Sequence, residues 1–271
     1  MVKIEGCLNM EILVEEETKE FISRLPELSV SPSSTVHLVM LAVRSRLARE
    51  MLGFKIRDLV VERKIVRPIE NWRGRYFDVV YNLALLQKYG RHRYRKMLPS
   101  REVKYVLIPF EAKAVFGTLS PRNTRRAVAE VMKRNADELY KGDESSKLVL
   151  SRQEVLYFGM LHKYKAQGTA FATLDLDKPD WVLCKEILEI VESAGIPIFM
   201  VTETSRGYHI VLNLSNPEHA RIFYGQESLL HKLRLQYAKE GLEIQKDSQE
   251  PIPGTYYHRH GDKAHYVRIL I

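Results

Sequence analysis

Two segments decide how the rest of this chain is read: Thr169-Ala-Phe-Ala-Thr-Leu-Asp175-Leu-Asp177, and Ile196-Pro-Ile-Phe-Met-Val-Thr-Glu-Thr-Ser205-Arg206-Gly207-Tyr208-His209-Ile-Val-Leu. In an extended segment alternate side chains share a face. Asp175 and Asp177 therefore point one way, roughly 6–7 Å apart along the backbone, while Leu174 and Leu176 point into a core. Two carboxylates set like this can bridge a pair of Mg²⁺ or Mn²⁺ ions about 3.5–4 Å apart, the arrangement that phosphoryl transfer uses. Ser205, Arg206 and Gly207 supply a hydroxyl, a guanidinium and a backbone open to close approach, all suited to a triphosphate. The competing reading makes Asp177, just ahead of Lys178-Pro179, a helix cap, and His209 a structural strand histidine.

Working outward, Pro179 to Ala194 has helical spacing, with Val182, Leu183, Ile187, Leu188 and Val191 on one side and Gly195 as its stop. Ile196–Thr202 and Tyr208–Leu214 read as strands joined by a short polar turn. Pro217–Lys239 reads as a second helix and Leu242–Gln245 as a short strand. The order β-α-β-β-α-β is that of the ferredoxin-like unit, an antiparallel sheet backed by two helices. The expected class is α+β: a ferredoxin/RRM-like βαββαβ catalytic module with additional strands at Pro251–Tyr257 and His265–Leu270, packed with an N-terminal α/β or helical module. The polar break Lys141-Gly-Asp-Glu-Ser-Ser146 sets the boundary, giving regions 1–142 and 143–271.

The chain has 271 residues, a net charge of +8 and a pI near 9.3, a balance that leans toward a polyanionic partner. Cys7 and Cys184 are its two cysteines, which excludes a four-cysteine zinc site and a disulfide framework. No apolar run reaches about 18 residues, so nothing is expected to span a membrane. Glu5, Glu11 and Glu15-Glu16-Glu17 are unlike a signal peptide, and the expected setting is intracellular and cytoplasmic.

In the first half, Met10–Val14 reads as a short strand and Glu15–Arg24 as a helix. Val36–Leu52 reads as a helix, with Val36, Val39, Met40, Val43, Leu47 and Met51 on one side. Arg44, Arg46 and Arg49 are then expected to solvate its outer face. Leu59–Val61 and Lys64–Val66 suggest strands, Asp78–Lys88 a helix, Val103–Phe110 a strand, and Asn123–Tyr140 a helix with Ala127, Val131 and Leu139 facing in. Lys88, Arg91, Arg93, Tyr94, Arg95, Lys96, Arg101 and Lys104 form the most basic run, with Glu102 as its single acid. Basic residues interleaved with Tyr89 and Tyr94 suit a surface that tracks a nucleic-acid backbone and stacks on bases; the alternative is a solvated loop.

A third segment lies near the end: Leu242-Glu243-Ile-Gln-Lys-Asp247-Ser-Gln-Glu-Pro251-Ile-Pro253-Gly254-Thr255-Tyr-Tyr257-His258-Arg259-His260-Gly261. The Leu-Asp-Leu-Asp strand, the Ser-Arg-Gly-Tyr-His turn and the acid followed by Ile-Pro-Gly-Thr-Tyr-Tyr-His resemble the three motifs of the archaeo-eukaryotic primase superfamily, over about residues 169–271. The resemblance implies a DNA primase or primase-polymerase making primers on a single-stranded DNA template from NTP or dNTP. It further implies two Mg²⁺ or Mn²⁺ ions held by Asp175, Asp177 and a third acid, either Asp247, which has the family's residue type, or Glu243, which sits within the strand. Ser205, Arg206, Gly207 and His209, with His258 and Arg259, would contact the incoming nucleotide. A large primase subunit or a helicase is the implied partner.

The chain departs from the family in having Glu250-Pro251 where a basic residue usually stands, and in lacking cysteines for the zinc-binding insertion of cellular small subunits. It therefore resembles the compact members that plasmids and viruses encode. Two other functions fit parts of the sequence. One is a non-catalytic, nucleic-acid-binding primase-like subunit of a replication complex. The other is a replication-initiation endonuclease with a tyrosine nucleophile, prompted by His258-Arg259-His260 and Tyr237, although the residue between such histidines is usually apolar.

Overall fold

The computed structural model describes residues 11–29, 34–54, 56, 59–97, 102–142, 151–166, 168, 170–225, 228–246, 249–257 and 265–271. The protein is α+β, built on two antiparallel sheets that share a core. In chain order the elements are α1 (Glu15–Arg24), β1 (Thr35–Val43), α2 (Ser45–Leu52), β2 (Leu59–Val66), α3 (Trp72–Tyr89), β3 (Arg93–Met97), β4 (Val103–Leu107), β5 (Lys113–Thr118), β6 (Arg122–Asn123), α4 (Thr124–Lys141) and α5 (Gln153–Lys163). They continue with β7 (Phe171–Leu176), α6 (Trp181–Ser193), β8 (Ile198–Glu203), β9 (Tyr208–Asn213), α7 (Pro217–Tyr224), α8 (Leu229–Tyr237), β10 (Leu242–Lys246), β11 (Gln249–Pro251) and β12 (Arg268–Ile269).

The first sheet runs β11-β5-β1-β2, with β6 also paired to β1; the second runs β10-β7-β9-β8-β12. Thr35–Val43 corrects the helix expected from Val36. It is a nearly continuous buried run flanked by β2 and β5, and side chains such as Leu38, Val39, Met40 and Leu41 fill cores on both of its faces. A strand buried on both faces loses the period-2 signature. Only Ser45–Leu52 is helical, closed by Gly53 in the left-handed region at φ 71°.

One face of the first sheet carries α1 and α3, whose Phe21, Tyr76, Val80 and Leu83 meet Val39, Leu41 and Val115. The other carries α4 and α5 through Ala127, Phe158 and Leu161. Leu139, expected to face in, is 68 % exposed, because α4 touches the body mainly near its start. The expected strands around Leu59 and Lys64 are one strand, bulged opposite Leu41/Ala42.

The second sheet follows the alternation of its sequence. Leu174, Leu176, Ile210 and Leu212 point to α6, α7 and α8, while Phe171, Met200 and Val211 turn to the first layer. Asp180 caps α6, accepting from the Leu183 amide at 3.1 Å, so the cap is not Asp177. The segment expected as one helix from Pro217 is two, α7 and α8, the second capped by Ser228. Residues after β10 do not stay in their own sheet: β11 closes the edge of the first sheet against β5, and β12 returns to β8. Among the described residues no helix is long and apolar enough to cross a membrane.

Candidate functional site

Where the two sheets converge there is a cleft of about 420 Å³, lined by Arg44 and Phe116 from the first layer, Asp175 and His209 from the second, and Gln249 and Pro251 from β11. Its floor follows from strand register. Asp175 lies opposite His209 on β9 and opposite Glu243 on β10, and directly opposed residues in an antiparallel pair share a face. Thr173 lies on the same face of β7, two residues back.

Glu250 reaches this face from the other sheet. It is 1 % exposed; Thr173 Oγ1 donates to its Oε1 at 2.5 Å, and His209 Nδ1 lies 2.7 Å from its Oε2. The opposite ring nitrogen, Nε2, lies 3.4 Å from Asp175 Oδ1. Burial pulls the His209 imidazole toward neutrality, but the Glu250 charge and hydrogen bond, together with Asp175, outweigh it and hold its pKa above the ordinary value. Asp175 is also shifted upward. Burial is the main cause and the Glu250 and Asp177 carboxylates add to it, against the opposing pull of His209 and Arg44.

The turn after β8 is fixed by crowding. A Cβ on Gly207 would meet the Leu176 carbonyl at 1.8 Å and the Lys178 amide nitrogen at 2.7 Å, so the turn lies flat on the end of β7. The Gly207 carbonyl accepts from the Thr204 amide at 2.9 Å. The close approach sequence analysis assigned to a ligand is thus made to the chain itself. It brings Arg206 Nε within 3.9 Å of Asp177 Oδ1. Ser205 is nine-tenths buried, and its hydroxyl has no hydrogen-bond partner among the described residues.

Two arginines expected to solvate a helix face stand at this site instead, because the chain turns from β1 into α2 beside it. Arg46 Nη1 donates to Asp177 Oδ2 at 2.8 Å. Arg44 donates to the Tyr257 hydroxyl and lies 5.5 and 5.4 Å over the rings of Phe116 and Tyr257.

The structure therefore brings together Asp175, Asp177, Ser205, Arg206, Gly207 and His209, with Glu243 in register beside Asp175. Asp247, His258, Arg259 and Arg101 lie outside the described residues. Of the basic run, Lys88 lies in the last turn of α3 and Arg91 just ahead of β3; Arg93, Tyr94, Arg95 and Lys96 lie on β3, paired with β4, which carries Lys104. Tyr94 turns inward against Phe54, with ring centroids 6.3 Å apart, and Lys96 Nζ lies 3.9 Å over the Phe54 ring. Tyr237 lies away from the cleft, beneath the second sheet at 3 % exposure, and donates to Glu186 Oε1 at 2.6 Å. Burial, then that carboxylate, push its hydroxyl up to about 12.

Glu250, Arg44, Arg46 and Thr173 join the site without belonging to any of the three motifs. Glu250 carried one signal: an acid set among apolar residues and prolines has to find a polar partner when buried. As a metal site the donor set is hard. Asp175 meets two partners at long range, Gln245 at 3.2 Å on one oxygen and His209 at 3.4 Å on the other, which leaves lone pairs on both; Asp177 and Glu243 are exposed beside it. All-carboxylate donors of this kind fit Mg²⁺ or Mn²⁺. Comparison of the chain with protein-family models, with curated proteins and with solved structures gives no match.

Proposed function

We propose that this protein is a DNA primase or primase-polymerase, a nucleotidyltransferase that extends a 3′-hydroxyl with NTP or dNTP on a single-stranded DNA template. The observation that carries the reading is the meeting of two motifs at one point. The Ser205-Arg206-Gly207 turn lies on the end of the strand that bears Asp175 and Asp177, with His209 3.4 Å from Asp175. A further support is topology. The elements β7-α6-β8-β9-α7/α8-β10 in the spatial order β10-β7-β9-β8 follow the split β-α-β pattern of a ferredoxin/RRM-like unit.

Asp175, Asp177 and Glu243 or Asp247 would hold two Mg²⁺ or Mn²⁺ ions, which activate the attacking hydroxyl and stabilise the departing pyrophosphate. The chain's own groups do the rest. Arg46 and Arg206 converge on Asp177 from opposite elements, and a triphosphate laid beside that carboxylate would meet both guanidiniums. The unpaired Ser205 hydroxyl would donate to a phosphate oxygen. His209, held at Nδ1 by Glu250, would present an Nε2 proton to the same anion. In phosphoryl transfer such positioning and charge stabilisation account for nearly all of the catalysis. Tyr237, buried and bonded to Glu186, offers no nucleophile to DNA, which weighs against the endonuclease reading.

The test is primer synthesis on single-stranded DNA, with Mg²⁺ or Mn²⁺ and each nucleotide type, with and without a primer. Asp175→Ala and Asp177→Ala should each abolish it, and unchanged synthesis would sink the assignment. Tight template binding without incorporation by the unmodified chain would favour instead a non-catalytic primase-like subunit.

A further inference from the structure

The β3–β4 hairpin has two chemically different faces. The register pairs Arg93 with Leu107 and Arg95 with Tyr105 on one face, and Tyr94 with Val106 and Lys96 with Lys104 on the other. The second face is the packed one, where Tyr94 and Lys96 cover Phe54. Among the described residues no element covers the first. Tyr105 is 61 % and Leu107 54 % exposed, with Arg93 and Arg95 exposed beside them.

A large ring and a leucine left in water cost apolar hydration, and a two-stranded hairpin is too small to need them for its own core. A ring opposite one arginine and diagonal to another is the combination that binds single-stranded polynucleotide: the ring stacks on a base, and the guanidiniums take the flanking phosphates. A duplex hides its base faces, and an acidic peptide has none to stack.

We infer that the outward face of this hairpin, centred on Tyr105 with Arg93 and Arg95, is a stacking site for single-stranded polynucleotide outside the catalytic cleft. The residue that stacks is then Tyr105, not the Tyr94 singled out in the sequence. Phe54, which carries the hairpin, follows α2, and Arg46, near the start of α2, bonds to Asp177. The eight-residue α2 is roughly 12 Å long, which sets the spacing between the hairpin's seat on Phe54 and the arginine at the cleft. The site deepens the nucleic-acid part of the proposed function and does not depend on polymerisation.

The test is fluorescence anisotropy of the full chain with a labelled single-stranded oligonucleotide, in DNA and RNA versions, with EDTA present and no nucleotide. Removing divalent metal separates the outcome from that of the polymerase reading. Tyr105→Ala should weaken binding about ten-fold without changing its salt dependence, and Tyr105→Phe should bind as the unmodified chain does. Arg93→Ala with Arg95→Ala should lower the slope of log K against log salt by about 1.4, two phosphate contacts at about 0.7 each. Tyr105 is exposed, so its loss leaves the fold intact, checked by an unchanged thermal transition. Unaltered affinity in both sets of variants would overturn the inference. So would displacement of the oligonucleotide by polyglutamate at equal charge, which would make the face an acidic-peptide site.

Discussion

Replacing Glu250 by alanine tests whether the two layers are locked together at the cleft. Its carboxylate is 1 % exposed and binds Thr173 Oγ1 at 2.5 Å and His209 Nδ1 at 2.7 Å, so the truncation strands two buried donors at once. An unsatisfied buried donor costs about 1–3 kcal/mol, and the imidazole bond, being charge-assisted, belongs near the upper end. The expected loss is about 4–6 kcal/mol, a large share of the roughly 5–15 kcal/mol that holds a domain folded. Glu250→Gln keeps the volume and one acceptor and offers a donor to Nδ1, which the ring can accept by changing tautomer, so it should lose only about 1 kcal/mol. Urea unfolding at pH 7, followed by far-ultraviolet circular dichroism, measures both. An alanine variant within about 0.5 kcal/mol of the unmodified protein would refute the reasoning, because the bonds would then carry no net stability.

Two further outcomes follow from buried contacts elsewhere in the protein. Gly207→Ala drives a methyl into the backbone of β7, 1.8 Å from the Leu176 carbonyl, and should cost about 2 kcal/mol, lowering Tm by about 5 °C in a calorimetric scan. His37 is fully buried against Trp72 and Tyr76, and burial lowers its pKa from 6.5 to about 4. The unfolded chain takes up the proton first, so this residue's contribution is intact above pH 6.5 and falls with acidity, by roughly 2–3 kcal/mol at pH 4.5. Comparing His37→Gln with the unmodified chain by urea unfolding at pH 7 and 4.5 isolates the effect, which should be absent in the variant.

The second sheet was largely legible because its signals are local. Leu174 and Leu176 alternate with Asp175 and Asp177, and Gly195 follows the end of α6, whose buried stripe holds Ile187, Leu188 and Val191 as expected but Cys184 rather than Val182, which is exposed. The first sheet was not. β1 is apolar on both faces, and the spacing of Val36, Val39, Met40 and Val43 fits a helix as well as a buried strand; only the presence of β2 and β5 on its flanks decides between them. Misplacing β1 misplaced Arg44 and Arg46, which reach Asp177 and Tyr257 because the chain leaves a strand there. Glu250 was hidden for a different reason. Its partners depend on β11 pairing with β5, a register set between residues more than a hundred positions apart, which no local pattern encodes.

That same pairing has a consequence for how the chain is made. The first sheet waits for Gln249–Pro251 to cover the open side of β5; the Val14 amide waits for the Gly254 carbonyl, and Arg24 for that of Ile271. A polypeptide emerging from the ribosome at about 5–20 residues per second therefore carries an unfinished layer, with the apolar β5 edge exposed, until nearly all of these residues have been translated. Nascent chains arrested before β11 should recruit chaperones and resist compaction, while those arrested after Ile271 has cleared the exit tunnel should become compact and protease-resistant.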